Sequence, residues 1–496
     1  MAVTHPSRPG RHSASLFSRR VLIYLSATLL QAGLAFLALP LATRILGPTE
    51  YGIYALITSV ALAIGTVADL GQTILFSGHY AHARPAERRA MLSTVLAVSI
   101  FMASIALVVF LTAWLSLGRA VGVNKEVGVY VLWVAAACIP LRAINTTISQ
   151  FLAVADRSSS AAFLMGVQAV CSFVVTMVAL FLLDLQLLSL FLGSAMGLFA
   201  AAAGGLILLR GDLAMSVEIR WIRALVRVAP SSVLASAGDS VRSAVENALM
   251  ARFIGVGQVG LWTHARQYYG LLLQGTNSVA YVLWAKALNE ARNGEQFEIV
   301  GRAWNVVYLW LVLAGVFLAL LGPEVVSILT NGKFIDAAVW IPVWVAYLLL
   351  QNSGKAATAT VYASNKGVWA ANFRIITLLP CVPALWFLVP RMGIGGVMVV
   401  LFVEMFVFRI LIAYSARRIR RIPFQDGWVV AGSVLIVALG WFVASAAPDL
   451  GTRVLLLAAI GTGVILAGHR AVSDSIVQLR AVFQTGDTAA GAGGSR

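Results

Sequence analysis

The sequence predicts an all-α integral membrane protein, and three observations support that prediction. The chain has 496 residues, of which 60% are hydrophobic and only 11% are charged. Soluble domains carry about 25% charged residues, so the apolar excess must face lipid. Apolar runs of about 20 residues recur along the chain, and each is long enough to cross a bilayer as a helix. The runs are continuous, whereas a transmembrane β-barrel shows short alternating segments.

About fourteen of these runs are predicted to span the membrane. Their approximate cores are 21–43, 53–76, 91–116, 128–153, 161–183, 187–209, 228–253, 259–286, 303–321, 337–362, 368–389, 393–415, 428–447 and 452–469. Lys and Arg accumulate in every second connection, and such connections stay on the cytoplasmic side. We therefore expect both termini to be cytoplasmic. The same rule accounts for most of the net charge of +16, so no nucleic-acid partner is expected.

An internal repeat divides most of the chain into two halves. Residues 44–54 (RILGPTEYGIY) resemble residues 252–262 (RFIGVGQVGLW), at an offset of 252 − 44 = 208 residues. A second similarity pairs 155–157 with 364–366, one residue out of that register. Six spans per copy is an even number, so the copies share one orientation and are related by an axis along the membrane normal. The predicted organisation is a cytoplasmic tail (1–20), an N-terminal six-helix lobe (21–210), an amphipathic connection (211–227), a C-terminal six-helix lobe (228–421), an extra helix pair (422–470) and a second cytoplasmic tail (471–496).

Polar residues inside the spans indicate a binding cavity. An ionisable side chain costs about 2.5–3.5 kcal/mol at the centre of a membrane helix, so such groups usually face a wet interior. Polar stripes occur on one helical face of the fourth, seventh and tenth spans, and the eighth adds further polar groups. Arginine binds phosphate with two parallel hydrogen bonds, which suits an amphiphile with a phosphate headgroup. The predicted substrate-binding residues are Arg142, Asn145, Arg242, Arg266, Gln351 and Lys355.

Acidic residues inside the spans are candidates for ion coupling, and they are Asp69, Asp239, Glu246 and Glu404. Two of them stand at ion-pair spacing from Arg242, so mutual neutralisation is the competing interpretation. The other two are lone acids, for which a structural ion pair and ion coupling both stay open. Arg374 lies nearer a cytoplasmic end and is expected to snorkel. The three cysteines show no metal-like spacing, and neither a metal nor a cofactor is expected.

Short motifs in both halves resemble those of one transporter family. They are residues 46–54 (LGPTEYGIY), 321–324 (LGPE), 332–334 (GKF) and 390–396 (PRMGIGG). In their order and spacing they are similar to segments of polysaccharide-biosynthesis flippases, the O-antigen and exopolysaccharide exporters of the multidrug/oligosaccharidyl-lipid/polysaccharide exporter superfamily. The resemblance implies alternating access by two six-helix lobes around a cationic cavity. It also implies a substrate, a polyprenyl-pyrophosphate-linked oligosaccharide that moves from the cytoplasmic to the outer leaflet of a bacterial inner membrane.

Two other functions stay open at this point. One is a cation-coupled multidrug antiporter of the same superfamily. The other is a membrane glycan polymerase or acyltransferase, which usually needs a large outer loop or a catalytic histidine. No connection between the predicted spans exceeds about 20 residues, too short for a soluble domain, so no enzyme activity is expected. The expected partners are the lipid-linked oligosaccharide and membrane lipids, with a glycan polymerase and a chain-length regulator as further candidates.

Overall fold

Helices make up nearly all of the computed structural model, which describes residues 11–80, 83–123, 127–214, 216–292, 298–364, 367–419 and 426–466. No strand occurs within these ranges. Ten segments in them are long and apolar enough to cross a membrane. The predicted all-α membrane fold is therefore confirmed, whereas the number fourteen stays a prediction.

Seven helices form the first half of the chain: α1 (Arg11–Ile45), α2 (Pro48–Gly65), α3 (Gln72–His79), α4 (Pro85–Val121), α5 (Val129–Val154), α6 (Ser158–Phe181) and α7 (Gln186–Leu208). The second half contains α8 (Ile219–Phe253), α9 (Val256–Arg292), α10 (Glu298–Thr330), α11 (Ile341–Ser353), α12 (Lys355–Ala363), α13 (Gly367–Leu378), α14 (Cys381–Met392) and α15 (Ile394–Ile419). Two further helices follow, α16 (Asp426–Ala446) and α17 (Leu450–Leu466).

The LGPTE motif has a structural reason, because it starts a helix. Pro48 occupies the first turn of α2, where its missing N–H costs no hydrogen bond. The carboxylate of Glu50 accepts a hydrogen bond of 2.9 Å from the backbone N–H of Gly47. This contact satisfies one of the amide groups left unpaired at a helix start. The motif therefore fixes where the chain turns back after α1.

Three of the predicted spans are divided between two helices, and the one predicted at 368–389 is divided between α13 and α14. The span predicted at 53–76 breaks after α2, where Leu70 and Gly71 have φ angles of 45° and 76°. The span predicted at 337–362 breaks at Gly354, between α11 and α12. Backbone that leaves the helical path at membrane depth is tolerated only where it is buried in protein or lines a wet cavity. The break at Leu70 and Gly71 therefore points to a cavity.

The two halves meet in a reciprocal contact between α2 and α9. A Cβ atom at Gly52 would lie 2.0 Å from the carbonyl oxygen of Val256, and one at Gly260 would lie 1.9 Å from the carbonyl oxygen of Pro48. Both pairs are separated by the repeat offset, since 260 − 52 and 256 − 48 each equal 208. Gly260 is therefore the repeat equivalent of Gly52, and Val256 is that of Pro48. Because equivalent residues make the same contact in both directions, the two halves are related by a two-fold axis.

The same end of the molecule carries a second contact between the halves. The Arg44 side chain at the end of α1 donates hydrogen bonds of 3.0 and 3.2 Å to the carbonyls of Ile328 and Leu329 near the end of α10. In return, Lys333 donates one of 2.9 Å to the carbonyl of Ile45. The last carbonyls of a helix lack partners within it, so these cations satisfy them across the interface. These contacts join the two halves at the end that is predicted to face outward.

The predicted amphipathic connection at 211–227 is partly the start of a long helix. From Ile219 onward it belongs to α8, which runs without a break to Phe253. Trp221 and Leu225 are buried in a cluster with residues of α3, α4 and α5. The backbone N–H groups of Ala214 and Glu218 also donate to hydroxyls of α4, at 2.8 and 2.9 Å. The connection is thus attached to the first half.

The last two helices pack beside the second half. α16 contacts α10 and α11, and Arg453 of α17 forms an ion pair of 2.5 Å with Glu324 of α10. At the other end of the chain, α1 begins at Arg11, inside the predicted tail at 1–20. Residues 1–10 and the whole tail predicted at 471–496 lie outside the described residues. The predicted domain boundaries stay predictions.

Candidate functional site

A cavity of about 300 Å³ lies in the first half, where α2 ends and α5 and α7 face it. Arg142 and Thr146 line it from α5, one helical turn apart. Tyr54 and Asp69 line it from the side of the interrupted second span. We call this space the N-terminal cavity. The break after α2 therefore does what a discontinuous membrane helix commonly does, which is to bring polar groups to a cavity at depth.

Arg142 is the exposed cation of this cavity. It occupies the middle of α5, since 142 − 129 = 13 residues separate it from Val129 and 154 − 142 = 12 residues separate it from Val154. No acid among the described residues lies within ion-pair distance of it, and no described group forms a hydrogen bond with it. An unpaired guanidinium is stable at such depth only in contact with water or with an anion. Its donors are thus available to a ligand.

Asp69 is held at the cavity wall by a hydrogen-bonded chain. Gln72, at the start of α3, donates from its amide nitrogen to the Asp69 carboxylate at 2.5 Å. Its amide oxygen accepts a hydrogen bond of 2.7 Å from the hydroxyl of Thr147, on α5. Thr147 and Gln72 are fully buried. Because each polar group in the chain has a partner, the interrupted span has a fixed position against α5.

A second cavity, of about 400 Å³, lies in the second half beside the break between α11 and α12. Gln351 and Lys355 line it from the two sides of that break. The Lys355 ammonium donates a hydrogen bond of 2.7 Å to the side-chain oxygen of Asn277 and lies 5.9 Å from the centre of the Trp304 ring. The Gln351 side-chain oxygen accepts one of 2.8 Å from the hydroxyl of Tyr269. We call this space the C-terminal cavity.

A network of ion pairs borders the C-terminal cavity. Arg374 of α13 pairs with Asp239 of α8 and with Glu404 of α15, so one guanidinium joins three helices. Arg242 contacts the same Asp239 at 3.7 Å and Glu246 at 3.3 Å. Ions buried in protein are tolerated when they are paired and hydrogen-bonded. The network therefore accounts for three of the four predicted coupling acids as ion-pair partners.

Burial explains the geometry of this network. The Glu246 side chain is fully buried and also accepts a hydrogen bond of 2.5 Å from the indole N–H of Trp262. The Asp239 side chain is 52% exposed and lines the cavity. The expectation that Arg374 snorkels is wrong, because its side chain is only 15% exposed and holds two carboxylates. Sequence spacing gave no signal for these pairs, since Asp239 and Arg374 are 374 − 239 = 135 residues apart.

The structure places five of the ten predicted site residues on a cavity wall: Asp69, Arg142, Asp239, Gln351 and Lys355. The others have protein partners. Arg266 donates to the hydroxyl of Ser243 at 2.9 Å and lies over the Trp344 ring, and Asn145 donates to the carbonyl of Leu198 at 2.8 Å. Roles in substrate binding or coupling stay predictions for all ten. Sequence reasoning did not single out Gln72 or Trp304.

Two polar cavities between helices that are long and apolar enough to cross a membrane define a multi-span membrane protein with a polar interior. Residues 17–284 match the family model described as "Polysaccharide biosynthesis protein". Because this match covers more than half of the chain, the protein belongs to that family. The predicted family resemblance is thereby confirmed. No curated protein matches the chain by sequence.

Solved structures of transporters share the fold. The lipid II flippase MurJ, in an inward closed conformation, is similar over 93% of this chain and 99% of its own, with 13% identity and a TM-score of 0.67. An inward-facing multidrug resistance MATE family transporter of the MOP superfamily is similar over 80% and 97%, with 16% identity and a TM-score of 0.62. A MOP superfamily transporter from Pyrococcus furiosus is similar over 80% and 95%, with 13% identity and a TM-score of 0.52. At these identities the likeness shows the fold alone.

Proposed function

We propose that this protein is a flippase for a polyprenyl-pyrophosphate-linked oligosaccharide. It moves the headgroup from the cytoplasmic to the outer leaflet of the bacterial inner membrane, for the synthesis of a surface polysaccharide such as O-antigen or exopolysaccharide. The observation that carries this proposal is Arg142, an exposed arginine at the middle of a membrane helix, with no acid of the described ranges within ion-pair distance. Membership of the polysaccharide biosynthesis family supports the same substrate class.

The geometry around Arg142 suits a pyrophosphate. A guanidinium presents a planar set of donors that pairs with two oxygens of one phosphate at once. The hydroxyls of Tyr54 and Ser194 line the same cavity and can donate to further oxygens. The low polarity of the surrounding helices strengthens each of these contacts relative to water. The headgroup would thus exchange water for fixed donors as it enters.

The two-fold contact between the halves supports alternating access. The contact of Gly52 with Gly260 closes the predicted outer end, and its opening would expose the cavities to the other side. Both termini, in this proposal, are cytoplasmic. A glycan polymerase and a chain-length regulator would use the flipped product at the outer surface.

A cation-coupled multidrug antiporter is the second candidate. One observation favours it, which is that Asp69 lines the N-terminal cavity with only Gln72 bonded to it among the described residues. Acids facing a cavity are the groups that would attract organic cations. Deletion of the gene separates the two candidates. Loss of surface glycan supports the flippase, whereas sensitivity to toxic organic cations with normal glycan supports the antiporter.

Complementation with Arg142 variants tests the flippase proposal. Arg142→Ala should reach the membrane at normal levels but fail to restore glycan export, because the headgroup loses its charged partner. Arg142→Lys should restore part of the export, since the charge remains while the paired hydrogen bonds are lost. Ser149→Ala is the matched control, as this residue is exposed on the same helix but does not line the cavity. Normal export by a well-expressed Arg142→Ala variant would refute the phosphate-binding role.

A further inference from the structure

The two cavities differ in the hydrogen-bonding groups that they offer. In the N-terminal cavity, the exposed arginine is joined by hydroxyl groups, and its one acid already accepts from Gln72. In the C-terminal cavity, Gln351 and Asn277 stand beside Asp239, with Trp304 and Phe408 on the walls. Each cavity holds one acid and aromatic rings, but the arginine of the first has no protein partner among the described residues, whereas the cations of the second, Arg374 and Lys355, are each bonded to a protein group. An ionised phosphate only accepts hydrogen bonds, so the two sets suit different ligand chemistry.

The amides of the C-terminal cavity are oriented with their donors free. Tyr269 bonds to the oxygen of the Gln351 amide, and Lys355 bonds to the oxygen of the Asn277 amide. Neither amide nitrogen donates to another group in the part of the chain that the structure describes. Each therefore offers N–H donors to a ligand, while the half-exposed carboxylate of Asp239 offers acceptors.

Charge makes this cavity a poor second phosphate site. Arg374 and Arg242 are both engaged by Asp239, and each also holds a second carboxylate. Lys355 is the remaining cation, and its ammonium is already bonded to Asn277. A phosphate placed here would meet the exposed Asp239 carboxylate, and like charges repel at short range. A neutral polar ligand meets no such penalty.

A sugar fits this combination of groups. Each sugar hydroxyl both donates and accepts, so a ring of hydroxyls needs amides and a carboxylate together rather than donors alone. The carbon–hydrogen faces of the ring need apolar contact, which Trp304 and Phe408 provide. We propose that the C-terminal cavity binds the sugar nearest the pyrophosphate, while the N-terminal cavity holds the pyrophosphate itself. This inference rests on the proposed flippase function.

The two cavities adjoin, as one headgroup requires. The Thr66 hydroxyl, on the wall of the N-terminal cavity, lies 3.4 Å from the hydroxyl of Ser240. Ser240 follows Asp239, which lines the C-terminal cavity. In this proposal, one headgroup crosses this boundary from Arg142 into the C-terminal cavity. The lipid-proximal sugar would then determine which glycans are accepted.

Binding measurements on the purified full-length protein test whether the pyrophosphate and the sugar bind in separate cavities. The two probes are bare undecaprenyl pyrophosphate and the lipid-linked glycan pool extracted from source cells that lack this protein. The wild type should bind the glycan-bearing pool about tenfold more tightly than the bare probe, as expected for two additional hydrogen bonds. Gln351→Ala and Asn277→Ala should each reduce this preference to about threefold, because each removes one of the two hydrogen bonds, and should leave binding of the bare probe unchanged. Arg142→Ala should lower the affinity of the protein for both probes by the same factor.

Asn352→Ala is the matched control for Gln351→Ala. It is the adjacent amide on α11, but it is buried, donates to the carbonyl of Leu348 at 2.9 Å and does not line the cavity. This variant should keep the tenfold preference. Equal wild-type affinities for the two probes would overturn the sugar site while leaving the flippase proposal intact. The sugar site would also be overturned if Gln351→Ala and Asn277→Ala lowered the affinity for both probes equally. Failure of the wild type to bind either probe would overturn the proposed function itself.

Discussion

Replacement of the two interface glycines should loosen the contact between the halves. In Gly52→Ala, the new Cβ would lie 2.0 Å from a carbonyl oxygen of α9, and in Gly260→Ala it would lie 1.9 Å from one of α2. Real Cβ atoms do not approach backbone closer than 3.0 Å, so the two helices must separate by about 1 Å. A carbonyl oxygen cannot rotate away as a side chain does. The clash must therefore be relieved by movement of whole helices.

The size of the effect follows from two opposing contributions. Alanine stabilises a helix by about 0.5–1 kcal/mol relative to glycine. Overpacking of a close contact costs about 1–3 kcal/mol. We therefore expect each single variant to be about 1–2 kcal/mol less stable than the wild type. Because one separation of α2 from α9 relieves both clashes, the double variant should lose less than the sum of the two.

Thermal unfolding of the purified protein, followed by tryptophan fluorescence, measures this effect. Gly257→Ala is the matched control at the same contact between α2 and α9, because its Cβ would make only an ordinary contact of 3.5 Å with the Thr49 side chain. That variant should be as stable as the wild type or slightly more stable. Wild-type stability in both Gly52→Ala and Gly260→Ala, or strictly additive losses in the double variant, would refute the two-fold contact.

Three further predictions concern the network, the second cavity and the topology. Arg374→Ala should destabilise the protein by about 3–5 kcal/mol, because it leaves the buried Glu404 carboxylate without its cation. Glu404→Gln in the same chain should restore part of that stability in thermal unfolding. A double variant no more stable than Arg374→Ala would count against the ion pair between Arg374 and Glu404. After replacement of the three native cysteines, Thr358→Cys should react with a water-soluble thiol reagent while Asn352→Cys stays protected, and protection at both sites would count against a wet cavity. A reporter fused after Arg480 should be active only if it functions in the cytoplasm, and activity of a periplasm-only reporter there would refute the predicted topology.

Length and hydrophobicity were enough to predict the fold class, because a membrane helix needs a long apolar run and little else. They could not show the breaks at Leu70 and Gly354, since an interrupted helix has the same composition as a continuous one. The reciprocal contact of Gly52 with Gly260 was within reach, because both glycines coincide in the internal repeat. The repeat showed that they are equivalent but not that they touch.

The candidate site was predictable to a similar extent. The mid-helix position of Arg142 and the polar face around it were evident from a period of 3.6 residues. The partners of Arg374 were not, because ion pairs between distant helices leave no trace in local spacing. The same limit applies to Asn145, whose place on the polar face of α5 did not reveal that it bonds to α7.

Translocation by the purified protein in lipid vesicles is the most direct test of the flippase proposal. The vesicles contain lipid-linked glycan extracted from source cells that lack this protein, and a membrane-impermeant glycosidase reports which glycan is exposed at the outer surface. With the wild type, nearly the whole glycan pool should become accessible over the assay. Vesicles with Arg142→Ala or without protein should keep the inner-leaflet half protected. Wild-type vesicles that protect that half as well as protein-free vesicles do would contradict the flippase function.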